Sequence, residues 1–316
     1  MKAALLAAGL GTRLRPLTDK CPKALVPVLN RPLLALWLAR LEAAGCVQVA
    51  INTHHLGELV LQFLNAGGPW GMNLQVSPEP ELLGTGGGLR DLGKLLGGGP
   101  FLAVNGDILT DLDLGSILAQ HQDEALTTLV LHDCQPYNNV WVNGGGGLVT
   151  GIGASPGSGA GAPLAYTGVQ VVSPRMFQYL PDRGPYNLVT AWREAIAAGE
   201  KLATVVVTGH FWQDLGTPEA YLRAHQRLLL GEAPGLSRFL PALSDPLLGD
   251  GAVLEPGAVC AGGVCLGAGV RVGEGARLRN TVAWERAQIA PQMELENCIV
   301  AAGARVTDSA RDAVLV

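Results

Sequence analysis

A chain of 316 residues is long enough for two domains of ordinary size, and its 48% hydrophobic and 16% charged residues exclude intrinsic disorder. Glycine, at 43 residues, stands at about twice its usual share, yet without a three-residue period; collagen is excluded, leaving turns, phosphate loops or tightly wound repeats. A net charge of −5 with 5% aromatic residues excludes a protein built to coat nucleic acid, but residues 1–40 carry +6 and the remainder −11, a local cationic site suited to a small polyanion.

In chain order, short apolar runs alternate with helical patterns, the signature of a parallel sheet covered by helices. Strands are expected at 3–8, 47–52, 73–76, 101–104, 126–132, 168–172 and 202–207. Helices are expected at 32–44, opened by Pro32, then at 56–65, 87–95 and 114–120. Another starts near Thr217, with Thr217 as its cap, Pro218 in the first turn and Glu219 favourable to the helix dipole.

The apolar start after Lys2 has no signal-peptide cleavage pattern and runs at once into Arg13, Arg15, Lys20 and Lys23, so it reads as the first strand. The uncharged stretch 134–174 is long enough to span a bilayer but is broken by the glycines at 144–147, Pro156 and Pro163; no membrane contact is expected. Six cysteines show no CxxC pair and no clustering with histidine, which fits buried thiols in a cytoplasmic protein.

Residues 231–250 carry Pro234, Pro241 and Pro246 and read as a linker between a domain at 1–230 and a second at 251–316. In the second, Leu254, Cys260, Leu266, Val272, Leu278 and Trp284 lie six apart, and Ala252, Ala258, Val264, Val270, Ala276 and Val282 form a parallel ladder. Hexapeptide periodicity implies a parallel β-helix. Ile289, Leu295 and Ala301 resume the pattern five residues after Trp284, so a bulge or altered corner is expected at Trp284.

The first strand runs into Gly9-Leu10-Gly11-Thr12-Arg13-Leu14-Arg15-Pro16-Leu17-Thr18, then Cys21-Pro22-Lys23-Ala24-Leu25-Val26-Pro27. A dinucleotide fingerprint needs glycine where Leu14 stands, and a Walker loop needs a GKS or GKT that is missing. Glycines after a strand still let backbone N–H groups converge on phosphate oxygens, and Arg13 and Lys23 add cations.

The full string, LAAGLGTRLRPLTDKCPKALVPV, closely resembles the signature of the sugar-1-phosphate nucleotidyltransferases over roughly residues 1–228. Three further segments occur in the family's order: Glu81-Leu82-Leu83-Gly84-Thr85-Gly86-Gly87-Gly88, Asn105-Gly106-Asp107, and His210-Phe211-Trp212-Gln213-Asp214-Leu215-Gly216-Thr217-Pro218. The resemblance implies an α/β fold, with a Rossmann-like mixed, mostly parallel sheet bearing helices on both faces, followed here by a short C-terminal left-handed parallel β-helix. It implies attack of a sugar phosphate oxygen on the α-phosphorus of a nucleoside triphosphate, with pyrophosphate leaving.

Carried over by motif, Ala8, Gly9, Gly11, Thr12 and Arg13 would wrap the triphosphate, with Leu83, Gly86 and Gly87 beside the base and Glu81 near it. Arg13 would stabilise the leaving pyrophosphate, and Lys23 would hold the α-phosphate or the sugar phosphate. Asp107 and Asp214 would hold Mg²⁺; each ends or follows an apolar strand, where open α/β sheets bind ligands. His54 and His55 end a strand facing the same side. On the sugar side, Asn138 or Asn139 and the Thr167-Gly168 pair are candidates. Where the family often has a Glu-Lys-Pro segment, this chain has Ala154-Ser155-Pro156-Gly157-Ser158-Gly159, so the identity of the sugar stays open.

Two other readings compete. A metal-dependent glycosyltransferase would use Asp111-Leu112-Asp113 as its D-x-D motif, although acids there also suit the cap of the helix at Leu114. A bifunctional enzyme would transfer acyl groups from the β-helix, but the last histidine is His225, which leaves the tail no histidine base. The tail is instead expected to serve assembly or regulation, and a homo-oligomer is expected.

Overall fold

A computed structural model describes all residues except 69, 146 and 156–159. The chain divides into two compact units. The first comprises Met1–Gly9, Leu38–Ile108 and Leu112–His210, and the second Leu10–Trp37, Leu109–Asp111 and Phe211–Val316.

The first unit is a nine-stranded mixed sheet with helices. Its strands are β1 (Lys2–Leu6), β2 (Gln48–Thr53), β3 (Asn73–Pro78), β4 (Phe101–Asn105), β5 (Thr127–His132), β6 (Val140–Asn143), β7 (Val149–Ile152), β8 (Ala160–Val172) and β9 (Leu202–Val206). Spatially they run β7-β6-β8-β4-β1-β2-β3, with β5 pairing β8 and β9. The β4-β1-β2-β3 half is parallel, as are β5 and β9, while β8 runs antiparallel to β4, β5 and β6. Residues 3–5 of β1 and 101–104 of β4 are all buried, which explains why they are all apolar.

The expected helices form as α1 (Leu33–Ala43), α2 (Gly57–Asn65), α3 (Gly84–Leu96) and α4 (Leu114–Ala119). The helix α5 (Leu188–Ala197) was not foreseen. Leu188, Ala191, Trp192 and Ala195 recur on one face and enter the core, where Trp192 meets the Tyr166 ring edge-on at 5.1 Å. Strand β8 runs well beyond the expected 168–172, and β6 and β7 pair beside it within a stretch whose glycines mask the alternation.

In the second unit, α6 (Pro218–Leu229) starts as expected, the Thr217 hydroxyl accepting the Ala220 N–H at 3.2 Å. The C-terminal part is a three-faced parallel β-helix beginning at Leu247. On one face Leu247 stacks on Cys265, then Val282, Ile299 and Val314, so the coils shorten from 18 residues to 17 and finally 15.

This corrects the expected corner. Ala283, not Trp284, takes the inward rung above Leu266, and Val300, not Ala301, the next. The missing residue is lost earlier, at the turn. Gly262 and Gly263 make that turn in the first coil, whereas a single left-handed Asn280 (φ 44°) and Asn297 (φ 53°) make it in the next two. Asparagine tolerates this conformation and its amide stacks: Asn280 Nδ2 donates to Asn297 Oδ1 at 2.8 Å, and Asn297 Nδ2 to Asp312 Oδ1 at 2.7 Å. The shift also puts fully buried Thr281 where Val282 was expected, with its hydroxyl donating to the Arg279 carbonyl at 2.9 Å. Inward Leu, Ile and Val on the other rungs each contribute roughly 1.5–3 kcal/mol by burial.

Candidate active site

Within the first unit, β1, β2 and β4 end side by side, Leu6 beside Asn105, so that 7–9 and 105–107 emerge together at the carboxyl end of the parallel strands. The Gly106 N–H donates to the Leu6 carbonyl at 2.8 Å, which fixes the turn carrying half-buried Asp107. Ala8 is buried; Gly9 is exposed, with open space where a side chain would begin.

A buried hydrogen-bond chain ties this loop to the start of α3. The Ala7 N–H donates to Asn52 Oδ1 at 2.6 Å, and Asn52 Nδ2 donates to Glu79 Oε1 at 2.7 Å. The other oxygen of Glu79 accepts the Leu83 N–H at 3.0 Å. Asn52 and Glu79 are 3% and 4% exposed, so these bonds are unscreened by water. A side chain on Gly88 would begin 2.6 Å from Asn52 Nδ2, so only glycine lets α3 approach. Neither residue was foreseen; the available signals were an amide closing an apolar strand and an acid between Pro78 and Pro80. His54 serves the same turn, its Nδ1 lying 2.8 Å from the Glu79 carbonyl.

At the start of α3, Gly86 and Gly87 are buried and donate their N–H groups to the Tyr186 carbonyl at 2.9 and 3.3 Å, while the Tyr186 N–H donates to the Leu83 carbonyl. Leu83 is half-buried and Glu81 exposed. Of the sugar-side candidates, Thr167 is fully buried and its hydroxyl donates to the Val130 carbonyl at 2.9 Å. Gly168 has φ 84° at an irregularity in β8, and a side chain there would begin 3.3 Å from Asn105 Cβ, near the turn of Asp107. Asn138 closes its own loop, donating to Asp133 and accepting the Cys134 N–H; Asn139 is exposed. The segment considered for the sugar at 154–159 lies outside the described residues from 156 onward.

The second unit brings two of the predicted residues together. Gly11, at φ 65°, turns the chain into the one-turn helix Thr12–Leu14, and the Thr18 hydroxyl holds its carbonyl at 2.8 Å. Thr12 is exposed. Arg13 Nη2 lies 3.5 Å from Asp214 Oδ2, with side-chain exposures of 60% and 16%. So exposed a pair is worth at most about 1 kcal/mol, little enough for a phosphate to take the guanidinium over. The other oxygen, Asp214 Oδ1, is buried with no hydrogen-bond partner among the described residues. Lys23 opens the one-turn helix Lys23–Leu25 and is only 8% exposed; an ammonium so buried is stable only among acceptors.

The strand Trp212–Asp214 is held at its start. The Phe211 N–H donates to Asp111 Oδ1 at 2.7 Å, and the Thr110 hydroxyl donates to the Phe211 carbonyl at 2.7 Å. Arg227 stacks its guanidinium 4.4 Å over the Phe211 ring and donates to the Trp212 carbonyl. The D-x-D pair is thereby accounted for, because Asp111 holds this strand and Asp113 caps α4 by accepting the Gly115 and Ser116 N–H groups. All six cysteines are free thiols, and burial pushes Cys21 and Cys265 up to about 12. Among the described residues no helix is long and apolar enough to cross a membrane.

The nucleotidyl transferase family profile matches residues 2–230. The chain is 36% identical over 224 residues to an N-acetylmuramate alpha-1-phosphate uridylyltransferase of Neisseria meningitidis, covering 69% of this chain and 94% of that protein. It is 29% identical over 313 residues to a mannose-1-phosphate guanylyltransferase of Mycobacterium tuberculosis, covering 96% and 80%. Among solved structures, HddC from Yersinia pseudotuberculosis, complexed with GMP-PN, matches with a TM-score of 0.61 at 21% identity, covering 72% of this chain and 99% of that one, a likeness of fold. With four ordered motifs, a mixed sheet whose parallel strands end at the first glycine loop, and these relatives, the chain belongs to the nucleotidyl transferase family, that of the sugar-1-phosphate nucleotidyltransferases.

Proposed function

We propose that the loop 9–13 wraps the triphosphate of a nucleoside triphosphate, that Leu83, Gly86 and Gly87 flank its base, and that Lys23 steadies the α-phosphate or the incoming sugar phosphate. The observation that carries this reading is the weak pairing of exposed Arg13 with Asp214 beside the left-handed turn at Gly11. On binding, the Arg13 guanidinium would leave Asp214 for the β- and γ-phosphate oxygens and remain on them as pyrophosphate departs. Lys23, held in a short helix after Pro22, would lower the repulsion between two anionic reactants and bring the attacking oxygen into line. Thr167, Gly168 and Asn138 would border the sugar.

A divalent cation, Mg²⁺ by our reading, would be held by Asp107 and Asp214. Their chemistry fits: both are hard oxygen donors, and Asp214 Oδ1 is a buried acceptor with no hydrogen-bond partner among the described residues. When bound, the ion would neutralise phosphate oxygens and increase the electrophilicity of the α-phosphorus. We further propose residues 1–230 as the catalytic domain, followed by a linker that ends where the β-helix begins at Leu247, a little before the expected 251, and the β-helix as serving assembly, in a cytoplasmic homo-oligomer.

A panel of four NTPs and dTTP against several sugar 1-phosphates, followed by pyrophosphate release, tests the reaction and names its substrates. One base and one sugar 1-phosphate should stand out, with activity lost in EDTA and restored by Mg²⁺. Folded protein that releases pyrophosphate from no pair, or that keeps full activity in EDTA, would contradict the reading.

A further inference from the structure

The hairpin that follows Lys23 has a conformation that its own sequence resists. Pro27–Val28 and Arg31–Pro32 pair antiparallel, and the two residues joining them, Leu29 and Asn30, have φ of 45° and 64°. Two left-handed residues in a two-residue loop make a turn that asparagine suits and leucine does not. A leucine in that region persists only where its surroundings hold it there.

The surroundings are α6 and the β-helix, in the same compact unit. Leu29 is fully buried, and its N–H donates to His225 Nε2 at 3.2 Å. His225 in turn donates from Nδ1 to the Tyr221 carbonyl at 3.0 Å, which fixes its tautomer. Asn30 Nδ2 donates to the Leu266 carbonyl at 2.9 Å, and Asn30 Oδ1 accepts from Cys265 Sγ. The Pro27 carbonyl accepts the Tyr221 hydroxyl, which itself accepts the Trp284 Nε1–H at 3.0 Å. Two successive coils of the β-helix therefore hold the hairpin, one directly through Cys265 and Leu266 and the next through Trp284 and the Tyr221 hydroxyl.

There is little slack between that grip and Lys23. The Val26 N–H donates to the Lys23 carbonyl, and the Leu33 N–H donates to the Val26 carbonyl, closing the base of the hairpin onto the one-turn helix. We infer that Asn30, Tyr221 and Trp284 are positioning residues for Lys23, and that the β-helix sets where this ammonium meets the substrate phosphate. The inference rests on the reading of Lys23 given above.

The test uses the full chain. Trp284→Phe keeps an aromatic ring and removes one donor; Asn30→Gly keeps the left-handed turn and removes both side-chain bonds to the β-helix. Each is compared with the parent, and combined with Lys23→Ala, by steady-state kinetics and by hydrogen exchange of the peptide covering residues 23–33. We expect faster exchange in that peptide, with kcat/KM lower by about 5- to 10-fold, the scale of one lost hydrogen bond, and we expect this loss to vanish in the Lys23→Ala background. Unchanged exchange in both variants, or a kinetic loss that multiplies in full on top of Lys23→Ala, would overturn the inference. A Lys23→Ala enzyme with parental kinetics would instead retire the role of Lys23, while the exchange measurement would still decide whether the β-helix holds the hairpin. Because Asn30→Gly suits the left-handed turn and removes no apolar side chain from the core, it keeps the test open if Trp284→Phe fails to fold.

Discussion

Replacing Glu79 by glutamine should damage both stability and nucleotide binding, although the two side chains have nearly the same shape. The chain from Ala7 through Asn52 and Glu79 to Leu83 begins and ends on a backbone N–H donor. Asn52 passes one donor on, so the residue between Asn52 and Leu83 must accept at both of its oxygens. Glutamine has one oxygen. With its amide facing Leu83, two donors oppose each other there; turned over, it opposes Asn52, and turning Asn52 as well moves the conflict to Ala7. Every arrangement leaves a buried donor unpaired, at a cost of about 1–3 kcal/mol, with little relief from solvent because Glu79 is 4% exposed. Part of this cost should be met by movement of the loop after β1 or of the first turn of α3, the two segments assigned to the nucleotide. Urea unfolding and steady-state kinetics with saturating sugar 1-phosphate measure the two effects. We expect a lower unfolding midpoint and a KM for the nucleoside triphosphate raised at least ~5-fold, in line with one lost buried hydrogen bond. A Glu79→Gln enzyme whose midpoint and KM both match the parent would refute the reasoning.

Arg13→Ala and Asp107→Ala should each lower turnover by at least ~10²-fold with the circular dichroism spectrum unchanged, as when a transition-state electrostatic partner is removed; rates within threefold of the parent would contradict their assignment. Gly9→Ala should leave the melting temperature unchanged, since nothing lies within 4 Å of the added carbon, yet raise the dissociation constant for a non-hydrolysable nucleoside triphosphate by ~10-fold or more, the scale of a single steric or hydrogen-bond loss at a phosphate loop; equal affinity would remove that backbone from the site. His132 and His225 are both lowered to about 4, each mainly by burial, and for His132 also by its neighbour His210. The folded state then binds fewer protons than the unfolded chain, so their contribution to stability is complete above about pH 6.5 and is lost as pH falls towards 4. Urea midpoints should fall across that window, less steeply in His132→Asn; identical slopes for variant and parent would show that His132 is not held neutral.

The expected strands and helices of the parallel half were recovered nearly in place, because strands buried on both faces are written as continuous apolar runs that need no partner to be recognised. The motifs that contain Arg13, Lys23, Asp107 and Asp214 made the family legible, because each is a short unbroken string and the four occur in the family's order. Strands β6 and β7 were missed within a glycine-rich, uncharged stretch where neither period stands out, whereas helix α5 was missed although its apolar residues at 188, 191, 192 and 195 keep helical spacing. The bonding chain through Asn52 and Glu79 was missed for another reason: its members lie 27 residues apart, and nothing local to either names its partner.

The β-helix shows where that boundary falls. Six-residue spacing sufficed to announce coils with apolar rungs, because each rung repeats the same demand for burial. Which residue drops out when a coil shortens depended on the corner, where stacked Asn280 and Asn297 replace a glycine pair and bring Ala283 rather than Trp284 inward. Periodic burial is a property of neighbouring residues and can be read along the chain. The left-handed Leu29 and the unpaired oxygen of Asp214 depend instead on groups distant in sequence, and those groups meet only once the chain has folded.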